Sequence, residues 1–385
     1  MTKVKDWYIL APMTTASKAR KASTSGSKVP IKPRKAGTEK AIKKVLVTGG
    51  CGFIGSNFVR HLYNTYPKYQ IINLDSLSYA GNLENLLDIE LAEKKQKEKR
   101  YEFVRSDICD KSALESVFSR HVFDIIFHFA AESHVDRSIF SDIDFVRTNI
   151  EGTRSLVELA RKYNIPRFIH ISTDEIYGSV EKGTATEDYA IQPSNPYAAS
   201  KASADLLMQT YMKTHGFPAS IVRGSNNYGP FQYPEKLIPL AITNLLEGHQ
   251  VPVHGNGEHK RSWLHVSDFC RAIDFIAHST DKHMIFNVSG EEYTNMEVLK
   301  KIANCMGIDI KKRIAYIKDR PGADVRYAPD STKLQNLGWK RQHVFDRSIK
   351  DVVDWYMKEK EWWRAVRLKK GFSDHYERQS KGEWC

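Results

Sequence analysis

Three groups of residues in the 385-residue chain have types and spacings that can do chemistry. Tyr197 and Lys201, in NPYAASK, stand four apart after the helix-start signal Asn195-Pro196, so they share one helix face. An ammonium beside a phenol favours phenolate and lowers a pKa that starts near ~10, which suits the tyrosine to take a hydroxyl proton while hydride leaves the same carbon. Alone, such a pair is common on helix surfaces. The second group, VLVTGGCGFIGSNFVRHL, sets Gly49, Gly52 and Gly55 between an apolar strand and an amphipathic helix. The first permits a tight turn, the second lets backbone approach a pyrophosphate, and the third lets helix pack on strand, with the helix N-terminus facing the anion. The spacing is G-x-x-G-x-x-G, so its weight rests on the strand-to-helix context. Asp75 follows 20 positions after Gly55, at the end of the next strand. A carboxylate there accepts hydrogen bonds from ribose hydroxyls and repels a 2′-phosphate, favouring NAD over NADP. Cys51 is expected to fill the turn as a small residue. The third group, Thr173-Asp174-Glu175, follows an apolar strand ending at Ile171. It is either a helix N-cap rich in acceptors or, at the carboxyl end of a central strand, part of a ligand site.

These residues need a frame. From Lys44 onward, short apolar runs alternate with helical stretches, the pattern of a parallel sheet covered by helices. Strands are expected over 45–48, 70–74, 101–105, 124–129, 167–171 and 219–223, and helices near 54–65, 111–120, 143–163 and 196–215. The charged run 91–100 lacks an apolar period and is expected as a solvated helix end or surface insertion. After Gly224 the alternation fades and turn signals such as Gly229-Pro230, Gly255-Asn256-Gly257 and Arg320-Pro321-Gly322 interrupt it. A second, smaller lobe is expected there. The fold class is therefore α/β, a doubly wound parallel sheet with a smaller C-terminal α/β lobe.

Composition narrows the partners. Lys plus Arg total 58 against 46 acids, and the excess of 12 is uneven. Residues 1–42 hold ten Lys or Arg against two acids, Asp6 and Glu39, and 358–385 hold eight against five. The body is near neutrality, which argues for basic tails rather than a nucleic-acid-binding core. Residues 1–42, rich in Pro, Gly and Ser, are expected as a disordered tail without a specific partner. With 41% hydrophobic residues the chain can bury a large core, yet no run approaches a membrane span. Five scattered cysteines, Cys51, Cys109, Cys270, Cys305 and Cys385, form no C-x-x-C pair, so a reducing, cytoplasmic setting without structural metal is expected. The tryptophans Trp339, Trp355, Trp362 and Trp363 are expected in core and interface.

The segments TGGCGFIGSN, ISTDEIYG and Tyr197 with Lys201 resemble the extended short-chain dehydrogenase/reductase family, specifically its nucleotide-glucose 4,6-dehydratases. The resemblance spans about residues 44 to 340 and includes AAESHVDRSI, RGSNNYGPFQYPEKLIP, GNGEHKRSWLHVSD and DRPGADVRYAPD. It implies a Rossmann domain over 43–223 with interleaved later segments, a substrate-binding lobe mainly over 224–345, and a C-terminal helix and tail over 346–385. A homodimer paired through helices flanking the sheet, the Tyr197 helix among them, is implied by analogy. Cofactor contacts carried over are Phe53, Ile54, Asp75, Asp107, Ile108, Ala130, Ala131, Thr148 and Asn227, beside the glycines, Tyr197 and Lys201. Substrate contacts carried over are Ser133, Thr173, Asn226, Lys236, Leu237, Arg261 and Asn295. Lys236 as a point charge and Arg261 as a rigid fork both suit a nucleotide diphosphate.

The implied reaction is redox-neutral. Tyr197, helped by Thr173, deprotonates the hydroxyl on carbon 4 of the glucose and hydride passes to NAD. Glu175 then removes the proton on carbon 5 while Asp174, held protonated, donates to the departing hydroxyl of carbon 6. Hydride returns to carbon 6, leaving a 4-keto-6-deoxy nucleotide sugar. One carboxyl must start ionised and the other protonated, so their environments must push the two pKa values apart. Epimerases and decarboxylases of the family are disfavoured by the Asp174-Glu175 pair. A non-catalytic NAD-binding protein is disfavoured because Thr173, Asp174, Glu175, Tyr197 and Lys201 are all present. Ala323 departs from the histidine of bacterial members, and Gly224 is more like the UDP-glucose enzymes, so dTDP-glucose and UDP-glucose both stay open. His134 either orients backbone near the cofactor or is a buried structural histidine.

Overall fold

The computed structural model describes residues 43–281 and 283–381. The basic arm expected over 1–42 lies outside them. In chain order the strands are β1 (Lys44–Thr48), β2 (Gln70–Asp75), β3 (Tyr101–Arg105), β4 (Ile125–His128), β5 (Phe168–Thr173), β6 (Ala219–Gly224), β7 (Asn226–Tyr228), β8 (Val251–His254), β9 (Lys260–His265), β10 (Met284–Val288), β11 (Glu291–Thr294) and β12 (Ile314–Ile317). Seven of them form one parallel sheet in the order β10-β6-β5-β4-β1-β2-β3. β4, β5 and β6 are buried throughout, as strands covered on both faces must be, which is why their sequences run apolar rather than alternating.

Each face of the sheet has its own core. On one, Phe58, Val59 and Leu62 of the Phe53–Thr65 helix pack with Phe269, Ile273 and Ile276 of the Val266–Ser279 helix over Val45, Val47 and Phe127. On the other, Leu156 and Ala160 of the Thr153–Lys162 helix and Met208 of the Pro196–His215 helix cover Leu46, Ile72 and Ile126. Each of the Val, Leu, Ile, Phe and Met side chains among these, fully buried, contributes roughly 1.5–3 kcal/mol. The central sheet therefore borrows β10 and a covering helix from chain beyond Gly224. A third core joins Ile238, Val253, Trp263, Leu299 and Val352 with Trp363, around the β11-β9-β7 and β12-β8 sheets. Trp363 is wholly buried and its indole nitrogen donates to the Tyr356 carbonyl at 2.8 Å.

Two expectations need correction. The helical run over 143–163 is broken: residues Val146–Gly152 take a wider π turn between helical segments. There Asn149 turns its amide to Ser200 Oγ at 2.8 Å and Glu132 O at 3.0 Å, and a Cβ on Gly152 would stand 2.6 Å from Ile108, so local packing overrides the helical period. The charged run 91–100 is not wholly solvated. Glu93, at the end of the Leu87–Lys94 helix, is buried and accepts from Tyr63 Oη at 2.7 Å, Arg100 N at 2.9 Å and Tyr101 N at 3.2 Å.

Candidate active site

β1 is flanked by β2 on one side and β4 on the other, so the chain reverses its winding there and a crevice opens at the carboxyl ends of the strands. A cavity of about 440 Å³ occupies that crevice. Gly49, Gly52, Phe53, Ile54, Gly55, Asp75, Asp107, Ile108, Ala130, Ala131, Thr148 and Asn227, expected at a cofactor, all line it. So do Thr173, Asp174, Glu175, Tyr197 and Lys201, and Ser133, Asn226 and Lys236 of the substrate set. Leu237, Arg261 and Asn295 are not in its wall. Leu237 opens the Leu237–Leu246 helix directly after Lys236, and Asn295 opens the Asn295–Met306 helix. Arg261 lies one layer behind, over the Tyr327 ring at 4.2 Å, with Nη2 donating to Asp324 O at 2.8 Å.

The glycine turn is shaped by its surroundings. Gly49 has φ 72°, and a Cβ there would stand 2.6 Å from the Ala130 nitrogen. The Asp75 carboxylate fixes the turn from below, accepting Cys51 N at 2.9 Å and Leu77 N at 2.8 Å. Burial pushes the Asp75 carboxyl up and these two N–H groups oppose it. Cys51 is wholly buried, as a turn-filling residue should be, and burial pushes its thiol up to about 12. At the far end of the crevice Asp107 pairs with Arg147 at 2.6 Å, and Arg147 also lines the cavity.

The Pro196–His215 helix starts as its sequence dictates. Asn195 Oδ1 accepts Ala198 N at 2.9 Å, Pro196 occupies the first turn, and Ser138 Oγ accepts Tyr197 N at 3.1 Å. Tyr197 and Lys201 thus face β5 together. Lys201 Nζ donates to the Ile171 carbonyl at 2.7 Å, and burial pushes its ammonium down to about 8, opposed by Asp205. The expected lowering of the phenol by this ammonium is not found in the chain by itself. Burial first, then the charge of Glu175, hold the Tyr197 phenol above its usual range, opposed by a hydrogen bond with Thr173. Desolvation outweighs a cation already engaged by a carbonyl.

Thr173 does cap, as its residue type allows: its Oγ1 accepts Glu175 N at 3.3 Å, starting the Asp174–Tyr177 turn. The cap reading is therefore met, and the same segment lines the cavity. Burial and the neighbouring Glu175 hold the Asp174 carboxyl well above the carboxylate range, and its Oδ2 has no hydrogen-bond partner. Burial also raises Glu175, but Lys236, Arg261 and Arg320 pull it back toward ionisation. The two adjacent carboxyls thus have different environments, one nearly without cations and one ringed by three.

Several residues in this arrangement escaped the sequence reading. Tyr327 Oη stands 2.7 Å from Asp324 Oδ2 and 3.3 Å from Glu175 Oε2, and Arg320 pairs with Asp136 at 2.9 Å. Glu235, beside Lys236, lines the cavity and accepts Arg137 at 3.2 Å. Their signal was membership of the DRPGADVRYAPD, PEKLIP and AAESHVDRSI segments, with Arg320 also opening a turn. His134 is buried outside the cavity wall, 3.7 Å from Glu235, so the buried-structural alternative describes it. A ligand-sized crevice with unpartnered buried polar atoms, Ser172 Oγ, Ser225 Oγ, Asn226 Oδ1 and Asn227 Oδ1, fits a polar cofactor and substrate.

Residues 46–352 match the model of the GDP-mannose 4,6 dehydratase family. A dTDP-glucose 4,6-dehydratase of Escherichia coli is 44% identical over 354 residues, covering 84% of this chain and 96% of the relative. One from Streptomyces niveus is 44% identical over 330 residues with the same coverage. Among solved structures, the dTDP-glucose 4,6-dehydratase of Bacillus anthracis in complex with NAD is 42% identical with a TM-score of 0.77, covering 84% of this chain and 99% of that one. The UDP-glucose 4-epimerase of Thermus thermophilus, also with NAD, shares 29% identity with a TM-score of 0.74 over 82% of this chain and 99% of its own. Fold alone does not separate dehydratase from epimerase; identity does, and the chain belongs to the dTDP-glucose 4,6-dehydratases of the extended short-chain dehydrogenase/reductase family.

Proposed function

We propose that this protein converts dTDP-glucose to dTDP-4-keto-6-deoxyglucose and water, with NAD held in the crevice between the glycine turn and Tyr197. The observation that carries the proposal is the unequal setting of Asp174 and Glu175 at the end of β5, beside Tyr197 in the same cavity. NAD, when bound, accepts one hydride and gives it back, so no net oxidant is needed. The glycine turn and the N-terminus of the Phe53–Thr65 helix hold the pyrophosphate, and Asp75 holds the adenosine ribose. Tyr197, bridged by Thr173, takes the proton of the carbon-4 hydroxyl. Glu175, kept ionisable by its cations, takes the carbon-5 proton. Asp174, kept protonated by burial, gives its proton to the leaving hydroxyl of carbon 6. Lys236 and Arg261 balance the charge of the diphosphate.

The names of the relatives favour dTDP over UDP. Gly224 does not weigh against this, because packing explains it: a Cβ there would stand 2.5 Å from the Phe269 ring. Two copies pair through helices flanking the sheet, the Pro196–His215 helix among them, a reading supported by Leu206 on that helix and Ile143 and Val146 on the adjoining segment, which are 50%, 72% and 43% exposed. Cys51, Cys109, Cys270 and Cys305 are free thiols, in keeping with a cytoplasmic location.

The test is to incubate purified protein with dTDP-glucose and UDP-glucose separately, without added NAD. A base-sensitive keto sugar from dTDP-glucose supports the proposal, and deuterium placed at carbon 4 should appear in the methyl group. A galactose product would make the protein an epimerase instead.

A further inference from the structure

Beyond residue 352, where the family match ends, the chain continues through the Lys360–Arg367 helix into the Lys370–Lys381 helix. This last helix is docked. Phe372 is buried in the third core, Tyr376 Oη accepts Asn244 Nδ2 at 2.9 Å, and Arg378 lies 5.4 Å over the Phe140 ring. Two of its contacts lead toward the cavity. The Gly371 carbonyl accepts Arg137 Nη2 at 2.7 Å, and the same guanidinium donates to Glu235 Oε2 through Nε and Nη2 at 3.2 Å each. The His375 ring meets His134 edge-on at 4.7 Å, and His134 Nε2 stands 3.7 Å from Glu235 Oε1. Glu235 is followed by Lys236, whose Nζ donates to Ser133 O at 2.9 Å in the cavity wall.

We propose that the C-terminal helix is a positioning element of the active site: Gly371 anchors Arg137, whose guanidinium holds Glu235; His375 packs against His134, which walls the other Glu235 oxygen by contact alone; and Glu235 fixes where the Lys236 ammonium stands beside Glu175. The inference rests on the dehydratase reading for the roles of Lys236 and Glu175. Burial keeps both imidazoles neutral, with His375 pushed down to about 4, so the two rings meet edge-on without mutual repulsion. His134, Asp136 and His375 also place ligand atoms within 4.8 Å of one another, as a metal triad would. However, Arg320 engages Asp136 at 2.9 Å, and Arg137 and Lys236 lie close by, so their charge opposes a divalent cation. Bracing is what the cluster is built for.

The consequence reaches Glu175 through charge. Lys236, Arg261 from β9 and Arg320 from the loop after β12 favour its ionised form; Asp324 from that loop and the adjacent Asp174 oppose it, and Tyr327 and Tyr197 also face it. Loosening Lys236 removes one cation, so the base ionises at higher pH, and the diphosphate loses a partner. The test compares the full chain with His375→Ala, with His375→Phe, which keeps an edge-on ring, and with a chain ending at Lys369. His375→Ala and the truncation should raise KM for dTDP-glucose and weaken dTDP binding by calorimetry about five-fold, the scale of one lost hydrogen bond. They should also displace the acid limb of the kcat profile to higher pH while the bound NAD content stays constant; His375→Phe should restore the parent behaviour. Parent-like dTDP affinity and acid limb in His375→Ala would overturn the proposal, as would equal losses in His375→Ala and His375→Phe. If the parent makes no keto sugar, the dehydratase reading fails, and the dTDP titration still decides the brace.

Discussion

Asp174 and Glu175 are neighbours in sequence and differ chiefly in what surrounds them. With Glu175 as the base, Glu175→Gln should slow water elimination by about 10² to 10⁴-fold while the protein keeps its cofactor, measured as keto-sugar formation against bound NAD. Parent-rate elimination would reassign the base. Because burial raises Glu175 and the base must be ionised, kcat should fall as pH drops through a value above the ordinary glutamate range of about 4.3. Lys236→Ala, by removing a cation, should move that acid limb to still higher pH. The residues proposed as catalytic line one cavity, and each could be placed from sequence because it sits at a strand end or helix start with its own local signal. Tyr327, Asp324 and Arg320 were not, since they come from a loop without periodicity and reach Glu175 only through the tertiary fold. Helical spacing likewise locates Lys201 beside Tyr197 but says nothing of the Ile171 carbonyl that engages it.

Between elements, the helix carrying Tyr197 is tied to the sheet by one buried ion pair. Arg223 of β6 donates to both oxygens of Asp205 at 2.9 Å, and its Nη1 donates to Tyr177 Oη at 2.8 Å. Both partners are almost fully buried. Asp205→Ala should therefore destabilise the fold by about 3–5 kcal/mol in denaturant titration, because it strands a buried charge. The paired change Arg223→Met with Asp205→Leu should recover much of that loss. A neutral outcome for the single substitution would show that water reaches the guanidinium. The strand candidates up to residue 223 were legible within one or two residues, since buried parallel strands announce themselves as apolar runs. The π turn over Val146–Gly152 was not, because it answers to Ser200 and Ile108, neither of which is near in sequence.

Across the whole molecule, exposed apolar side chains and uneven charge set how the protein meets its surroundings. Leu206→Glu should convert a two-chain particle to single chains in light scattering, while an unchanged mass would place any pairing elsewhere. The sequence changes rhythm after Gly224 and is expected to interleave later segments with the first half, yet patterning does not say which of them return to finish the sheet. β10 pairs with β6 from Met284↔Ser220 to Val288↔Gly224, and the Val266–Ser279 helix seals the face beneath Phe58. During synthesis, then, a ribosome that has released only the first 224 residues has made every strand of the seven-stranded sheet but one. The emerging intermediate carries an unpaired β6 edge and a bare aromatic face, a surface that invites chaperones until residue 288 is out.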